Sequence, residues 1–379
     1  MRLNDIEITM FPAGAGDSIL ISFLIENFKI LIDGGYGETY DRHLKPFLSE
    51  MGRKGERLNL IIATHIDRDH INGIRKLLME NGKAQCPQII PIDEIWFNGF
   101  RSMPITLGDR EDIPIPIAWV LQKMASNNQE NADCGTQDIS FRDGNSLAEL
   151  IALNGYSWNS PFSKAGAVDD RMYVEYGIIR ISILNPTLDD LNKLAHRWIN
   201  ELKRSTKKEF VITDNHLFDR AFEGCFIYDC ESETGHENIS FHDSTATDWK
   251  SEAEKKDDKP DRSLQNLSSI AILIEYDGKT LLFAGDCPMH KIIDLLPNEI
   301  DIVKLPHHGS GKSNLKRFIR EWCVNYYLVS TDGNHGHPSK MIMGNILCCA
   351  KERPVIVTNY HLPMLEGLSI MGEDVIIDG

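Results

Sequence analysis

The sequence contains no run of about 18 or more apolar residues, so no segment is long enough to cross a bilayer as a helix. Its start, MRLNDIEITMFPAG, puts Asp5 and Glu7 where a secretory leader needs an apolar stretch, and no small-residue cleavage site follows. These absences predict a cytoplasmic protein with no membrane association. The eight cysteines include no CxxC pair, and 379 residues far exceed a disulfide-stapled domain, so the thiols are expected to be reduced and mostly packed inside. Basic charge is also short. Forty Lys and Arg face 56 Asp and Glu, a formal net charge of −16. Sequence-independent binding to nucleic acid is driven by Lys and Arg neutralising phosphates, so extended duplex DNA is not expected as a partner. No internal repeat is present.

What remains is an ordinary globular composition, 42% hydrophobic and 25% charged. The first third reads as short β-branched runs at 5–11, 18–25 and 28–32, a helix over 40–51, an apolar strand at 58–64 and an amphipathic helix ending near 81. From 267 onward strands and helices alternate, with strands at 269–276, 280–285, 300–305, 325–330 and 354–358 and helices at 288–296, 314–322 and 339–351. Between them, residues 85–265 show helices at 117–126, 145–153 and 188–203 and a strand region at 172–184 without clear rhythm, and are read as mostly insertion. Within that stretch, residues 231–263 are almost devoid of aliphatic side chains, the composition of a mobile charged segment.

Chemistry concentrates at strand ends. The loop His65-Ile66-Asp67-Arg68-Asp69-His70 follows the apolar strand and offers four metal-ligand side chains within six residues. The competing reading is a polar loop in which Asp69 only caps the next helix. Asp286 follows LLFAG directly, where a carboxylate has little reason to sit unless paired or coordinated. His307 and His308 follow the strand IDIVK in LPHHGSG. Three strand ends therefore offer His and Asp donors.

GAGDSILI (14–21), ILIDGG (30–35), THIDRDHINGI (64–74), NLSS (266–269), FAGDCP (283–288), LPHHGSGKS (305–313) and HGHPS (335–339) together resemble the metallo-β-lactamase superfamily, and within it the hydrolase domain of ComEC-type competence proteins. The matching pieces lie in roughly the first 85 and last 115 residues. The resemblance implies an α/β protein, a four-layer αββα sandwich with a metal centre at one edge, formed by 1–379 as one domain. It makes His65 and Asp67 ligands of one metal, Asp69 and His70 ligands of the other, Asp286 the bridge, and His308 the last ligand of the second site. His308 is preferred to His307 because it precedes Gly309, which leaves His307 a neighbour or alternative ligand. Asp33 is read as a carboxylate that orients the metal loop, and Asp17 as a turn residue near it.

Two positions depart from the family pattern. Asp67 stands where a second His is usual, and Asn266 where a further ligand His is usual, making site one poorer in nitrogen. Oxygen donors favour Mn²⁺ and imidazole keeps Zn²⁺ in play, so two divalent ions, Zn or Mn, are expected. A water bridging such ions loses its proton near neutrality and can attack phosphorus or a carbonyl, with Asp69 or Asp286 orienting it. His337 would protonate the leaving group or bind an oxyanion, with His335 as its rival, unless it only caps the helix after Pro338. Lys312, Lys316, Arg317 and Arg320 are read as a phosphate cradle, against the alternative of a solvated basic helix face. The favoured function is a phosphodiesterase or nuclease acting on a phosphodiester or nucleotide substrate. Two alternatives stand beside it: hydrolysis of ester, lactone, amide or thioester bonds, and a non-catalytic assembly component that docks a protein partner through 85–265.

Overall fold

Alternation decides the first sheet. In Ile6–Met10 and Ile19–Phe23, every second side chain enters the core between two sheets, as the period of a strand requires. The structure is a computed structural model that describes residues 1–108, 113–126, 145–162, 167–169, 172–207, 210–226 and 247–366, together with the backbone of 375–377. Six strands form sheet one in chain order: β1 (Arg2–Leu3), β2 (Ile6–Met10), β3 (Ile19–Phe23), β4 (Phe28–Ile32), β5 (Leu60–Ala63) and β6 (Ile95–Phe97). Pairing is antiparallel as far as β4 and parallel from β4 to β6.

Sheet two repeats that plan with eight strands. These are β7 (Tyr173–Tyr176), β8 (Ile179–Asn185), β9 (Ala271–Tyr276), β10 (Lys279–Phe283), β11 (Glu299–Lys304), β12 (Cys323–Val329), β13 (Val355–Thr358) and β14 (Val375–Ile377). They pair antiparallel from β7 to β10 and parallel from β10 to β14. Ile8, Ile21, Ile30 and Ile62 of sheet one share a core with Ile181, Ile272, Leu281 and Ile302 of sheet two. Each such side chain contributes about 1.5–3 kcal/mol when fully buried. Helices cover both outer faces, so the fold is a four-layer αββα sandwich. Among the described residues no helix is long and apolar enough to cross a membrane.

The middle of the chain takes part in both sheets. Residues 85–265 supply β6 to sheet one and β7 and β8 to sheet two. Short strands separated by helices conceal a sheet whose partners lie far away in sequence, as β8 pairs with β9 across some eighty intervening residues. The helices Ile115–Ser126, Leu147–Asn154, Leu188–Thr206 and His216–Phe226 form a helical cap over sheet one, with Trp198, Phe218 and Phe222 packed together. The segment expected to be mobile, 231–263, is described only from residue 247. Residues 231–246 lie outside the described residues, but Trp249–Glu254 is a helix capped by the Asp248 side chain. It packs on the helix Lys340–Cys349, where a Cβ on Gly344 would stand 2.7 Å from the Trp249 carbonyl oxygen. The expected helix over 288–296 is instead two 3₁₀ turns between Pro288 and Pro297. Of the six cysteines among the described residues, all are free thiols and only Cys287 is buried.

The helix Arg68–Asn81 sits unusually close to the loop after β4. A Cβ on Gly73 would stand 1.9 Å from the Gly34 carbonyl oxygen, and Gly34 N donates to the His70 carbonyl oxygen at 2.7 Å. Glycine at 73 therefore permits the approach that sets Asp33 beside His70.

Candidate metal centre

The loops that matter leave the carboxyl ends of parallel strands, where open α/β sheets place ligands. Asp33 follows β4, His65 follows β5, Asp286 follows β10, His307 follows β11, and Ser330 follows β12. The two sheets are stitched together at this edge. Ile270 N donates to Thr64 O at 2.8 Å, and Ser330 Oγ donates to Gly16 O at 2.8 Å. In the HIDRDH loop the helix begins at Arg68 and its N-cap, Asp67, makes no side-chain capping bond. Asp69 lies in the first turn and points its carboxylate at two imidazoles, which removes the helix-cap reading.

The Asp286 carboxylate faces two different groups with its two oxygens. Oδ2 stands 3.8 Å from His65 Nε2 and 3.8 Å from His307 Nε2, and Asp67 Oδ2 is 3.4 Å from His65 Nε2. Oδ1 stands 3.5 Å from His70 Nε2 and 3.9 Å from His308 Nε2, while Asp69 Oδ2 is 3.5 Å from each of those nitrogens. Two ligands about 2.05 Å from one tetrahedral ion lie roughly 3.3 Å apart, so these separations suit donors that share cations better than donors that share protons. Donor sets of His65, His70 and Asp286, and of Asp69, His70 and His308, each converge within 4.8 Å. Buried Nε2 atoms of His65, His70 and His308, with Asp286 Oδ1 and Asp67 Oδ1, have no hydrogen-bond partner. Orphaned buried polar atoms demand an explanation, and bound divalent cations supply one.

The opposite ring nitrogens are held from behind, as metal-ligating imidazoles usually are. Asp33 Oδ2 lies 2.7 Å from His70 Nδ1, and its oxygens accept from Thr64 N and Thr64 Oγ1 at 2.8 Å each. His65 Nδ1 has Thr64 Oγ1 at 3.0 Å and Ser269 Oγ at 3.4 Å. His308 Nδ1 has Ser330 O at 3.1 Å and Asp17 Oδ1 at 3.4 Å. Asp17 in turn forms a buried ion pair with Lys304.

Without metal, charge sets the protonation of this cluster. Burial opposes the imidazolium form, but Asp286, Asp69 and Asp33 outweigh it and raise the His70 pKa well above the ordinary range. Burial likewise opposes protonation of His308, yet Asp17 and Asp286 lift it to about 9. Burial pushes Asp286 upward, and His307, His70 and His308 overcome that and hold it well below the usual carboxylate range. His308 therefore binds its proton more tightly folded than unfolded. Its stabilisation of the metal-free fold is complete below the ordinary imidazole pKa of 6.5 and is lost as pH rises to about 9. Metal-stripped protein should accordingly melt at a lower temperature at pH 9 than at pH 6.5. Equal melting temperatures would rule out this coupling.

His337 is stacked near the pair, with ring centroids 5.4 Å from His307 and 6.3 Å from His308. Burial, together with His307 and His308, lowers its pKa to about 3, so in the metal-free protein it is neutral at pH 7. His335 is exposed and makes no part of this cluster. Asn266 is buried, and its Nδ2 donates to Asp261 Oδ2 at 2.5 Å.

The basic side chains expected to form a cradle have partners outside the metal centre. Lys316 Nζ donates to Lys255 O at 2.7 Å, and Arg320 donates to Ala253 O at 3.2 Å and Asn345 Oδ1 at 2.8 Å. These carbonyls belong to the end of the helix Trp249–Glu254, where unsatisfied acceptors attract cations. Arg317 pairs with Glu321 at 3.0 Å and Asp294 at 3.6 Å. Lys312 N donates to Ser310 Oγ at 3.3 Å, and its carbonyl accepts from Asp261 N at 3.2 Å. Sequence reasoning missed Lys304, Thr64, Ser269, Ser330 and Asp261. Only Lys304 carried a signal, as a charge at the end of an apolar strand.

This sandwich, with His and Asp donors gathered at one edge, defines the class: a metallo-β-lactamase fold with a candidate divalent-metal centre. Residues 12–112, which carry β3 to β6 and the HIDRDH loop, match the model of the metallo-beta-lactamase superfamily. No curated protein matches the chain. Among solved structures it is similar to a mutant of the β-hydroxylase CmlA, at 9% identity and a TM-score of 0.34, covering 100% of this chain and 53% of that one. The chain thus spans about half the length of that neighbour.

Proposed function

We propose that the protein is a metal-dependent hydrolase of the ComEC-like type that cleaves phosphodiesters with two divalent cations, Zn²⁺ or Mn²⁺. The observation that carries this reading is Asp286, whose two oxygens face separate donor sets. His65, Asp67 and Asp286 would hold one cation, and Asp69, His70, His308 and Asp286 the other. Such a pair supplies Lewis acidity to phosphoryl oxygens and activates water at neutral pH. Three carboxylates against two dications leave the centre positive by about one charge, which favours an anionic substrate at short range. Around it a chain of net charge −16 repels polyanions at long range, which favours small or single-stranded nucleotide substrates over extended duplex DNA.

The remaining work falls to the chain itself. Asp33, Thr64, Ser269 and Ser330 fix the imidazole planes before substrate arrives, so no reorganisation is needed during reaction. His337, neutral and beside the His307-His308 pair, is positioned to hydrogen-bond a substrate oxygen. A screen of protein loaded with Mn²⁺ or Zn²⁺ should find hydrolysis of bis(p-nitrophenyl) phosphate and short oligonucleotides. Turnover of lactones or thioesters with no phosphodiester cleavage would refute the substrate class.

A further inference from the structure

Site one lacks the usual nitrogen ligand at the position of Asn266, and the geometry points to His307 as its replacement. The adjacent pair His307-His308 then acts as a divided clamp, one imidazole for each cation, with the Asp261 carboxylate behind His307. This inference rests on the two-cation reading above.

Two consecutive residues in the left-handed region make the division possible. His307 has φ 48° and ψ 48°, and His308 has φ 56° and ψ 21°. Each costs of order 1 kcal/mol or more for a residue with a Cβ, and adjacent strained residues persist where the surroundings enforce them. The conformation turns the rings apart, to centroids 6.0 Å distant and planes 79° to each other. In consequence the two Nε2 atoms address opposite oxygens of one carboxylate. His308 faces Asp286 Oδ1 at 3.9 Å, whereas His307 faces Oδ2 at 3.8 Å, the oxygen that His65 also faces at 3.8 Å.

His307 likewise turns Nε2 toward the centre, but its Nδ1 is buried without a hydrogen-bond partner, unlike the Nδ1 atoms of the three other imidazoles, and points toward a group behind. That group is Asp261, whose Oδ2 lies 3.5 Å from His307 Nδ1 and accepts from Asn266 Nδ2 at 2.5 Å. Asp261 is itself fixed, buried and accepting from Ser263 N at 2.8 Å. Asn266 thus stands behind the ligand instead of serving as one. Its own Oδ1 is buried without a partner and is the competing donor.

Titration of metal-stripped, full-length protein with Co²⁺ decides between them, read as equivalents by calorimetry and as visible d–d absorption. The unaltered protein should take two equivalents. His307→Ala should lose one and keep the other, and Asp261→Asn should weaken the same equivalent by about 10–100-fold. If His307→Ala does not fold, His307→Gln should show the same loss. No Co²⁺ binding by the unaltered protein would overturn the two-cation reading and this inference with it. Two equivalents of unchanged affinity in His307→Ala would overturn the assignment of His307 while leaving the two-cation reading standing. Loss of one equivalent in Asn266→Ala, with both retained in His307→Ala, would make the amide oxygen the ligand and overturn it likewise.

Discussion

Asp286→Ala should strip the protein of both metal equivalents, measured as metal content after gel filtration, and abolish phosphodiester hydrolysis. Every imidazole that faces the centre does so around this one carboxylate: His65 and His307 on Oδ2, His70 and His308 on Oδ1. Its removal deletes a ligand of each site and leaves dications to share only Asp67 and Asp69 as counter-charge. His308→Ala should behave differently, because it removes one nitrogen from the second set and leaves the first complete. Comparison of the two variants separates a bridging carboxylate from an ordinary ligand. Unchanged metal stoichiometry in Asp286→Ala would end the bridging assignment.

The parts of this centre that were legible in the sequence share one property: a polar residue at the end of an apolar run. His65 to His70 after Leu60–Ala63, Asp286 after Lys279–Phe283, and the His pair after Glu299–Lys304 all announce themselves in that way. The fold was readable for a related reason, since alternation in β2 and β3 and the strand-helix rhythm after residue 267 are local patterns. Three things were not local. The division of labour between His307 and His308 depends on a backbone conformation that no residue type there advertises, because neither position is Gly or Asn. The partners of Lys316 and Arg320 are carbonyls at the end of Trp249–Glu254, a short helix whose apolar contacts are diluted by the charges around it. Asp261 lies in the same charged stretch, and only the tertiary fold brings it to His307. β6 escaped for the opposite reason, and β7 and β8, read as a strand region at 172–184, gave no sign of their place in sheet two, because long-range pairing and not composition sets their neighbours.

Lys304→Met should be the most destabilising single substitution near the site that leaves every proposed ligand in place. Lys304 is 1% exposed at the end of β11, and its ammonium is paired with Asp17, itself 2% exposed. Removing one member of a buried pair leaves the other charge without water or partner, which costs about 3–5 kcal/mol. His308 softens the penalty, because its Nδ1 lies 3.4 Å from Asp17 Oδ1 and the lone carboxylate would draw a proton onto that ring. Asp17→Asn added to Lys304→Met removes the stranded charge and should restore most of the lost stability, since a buried pair replaced on both sides is often close to neutral. Denaturant midpoints of the two single variants and the double variant provide the cycle. If the two losses simply add, the ion pair is not the origin of the effect, and Lys304 contributes through its packing alone.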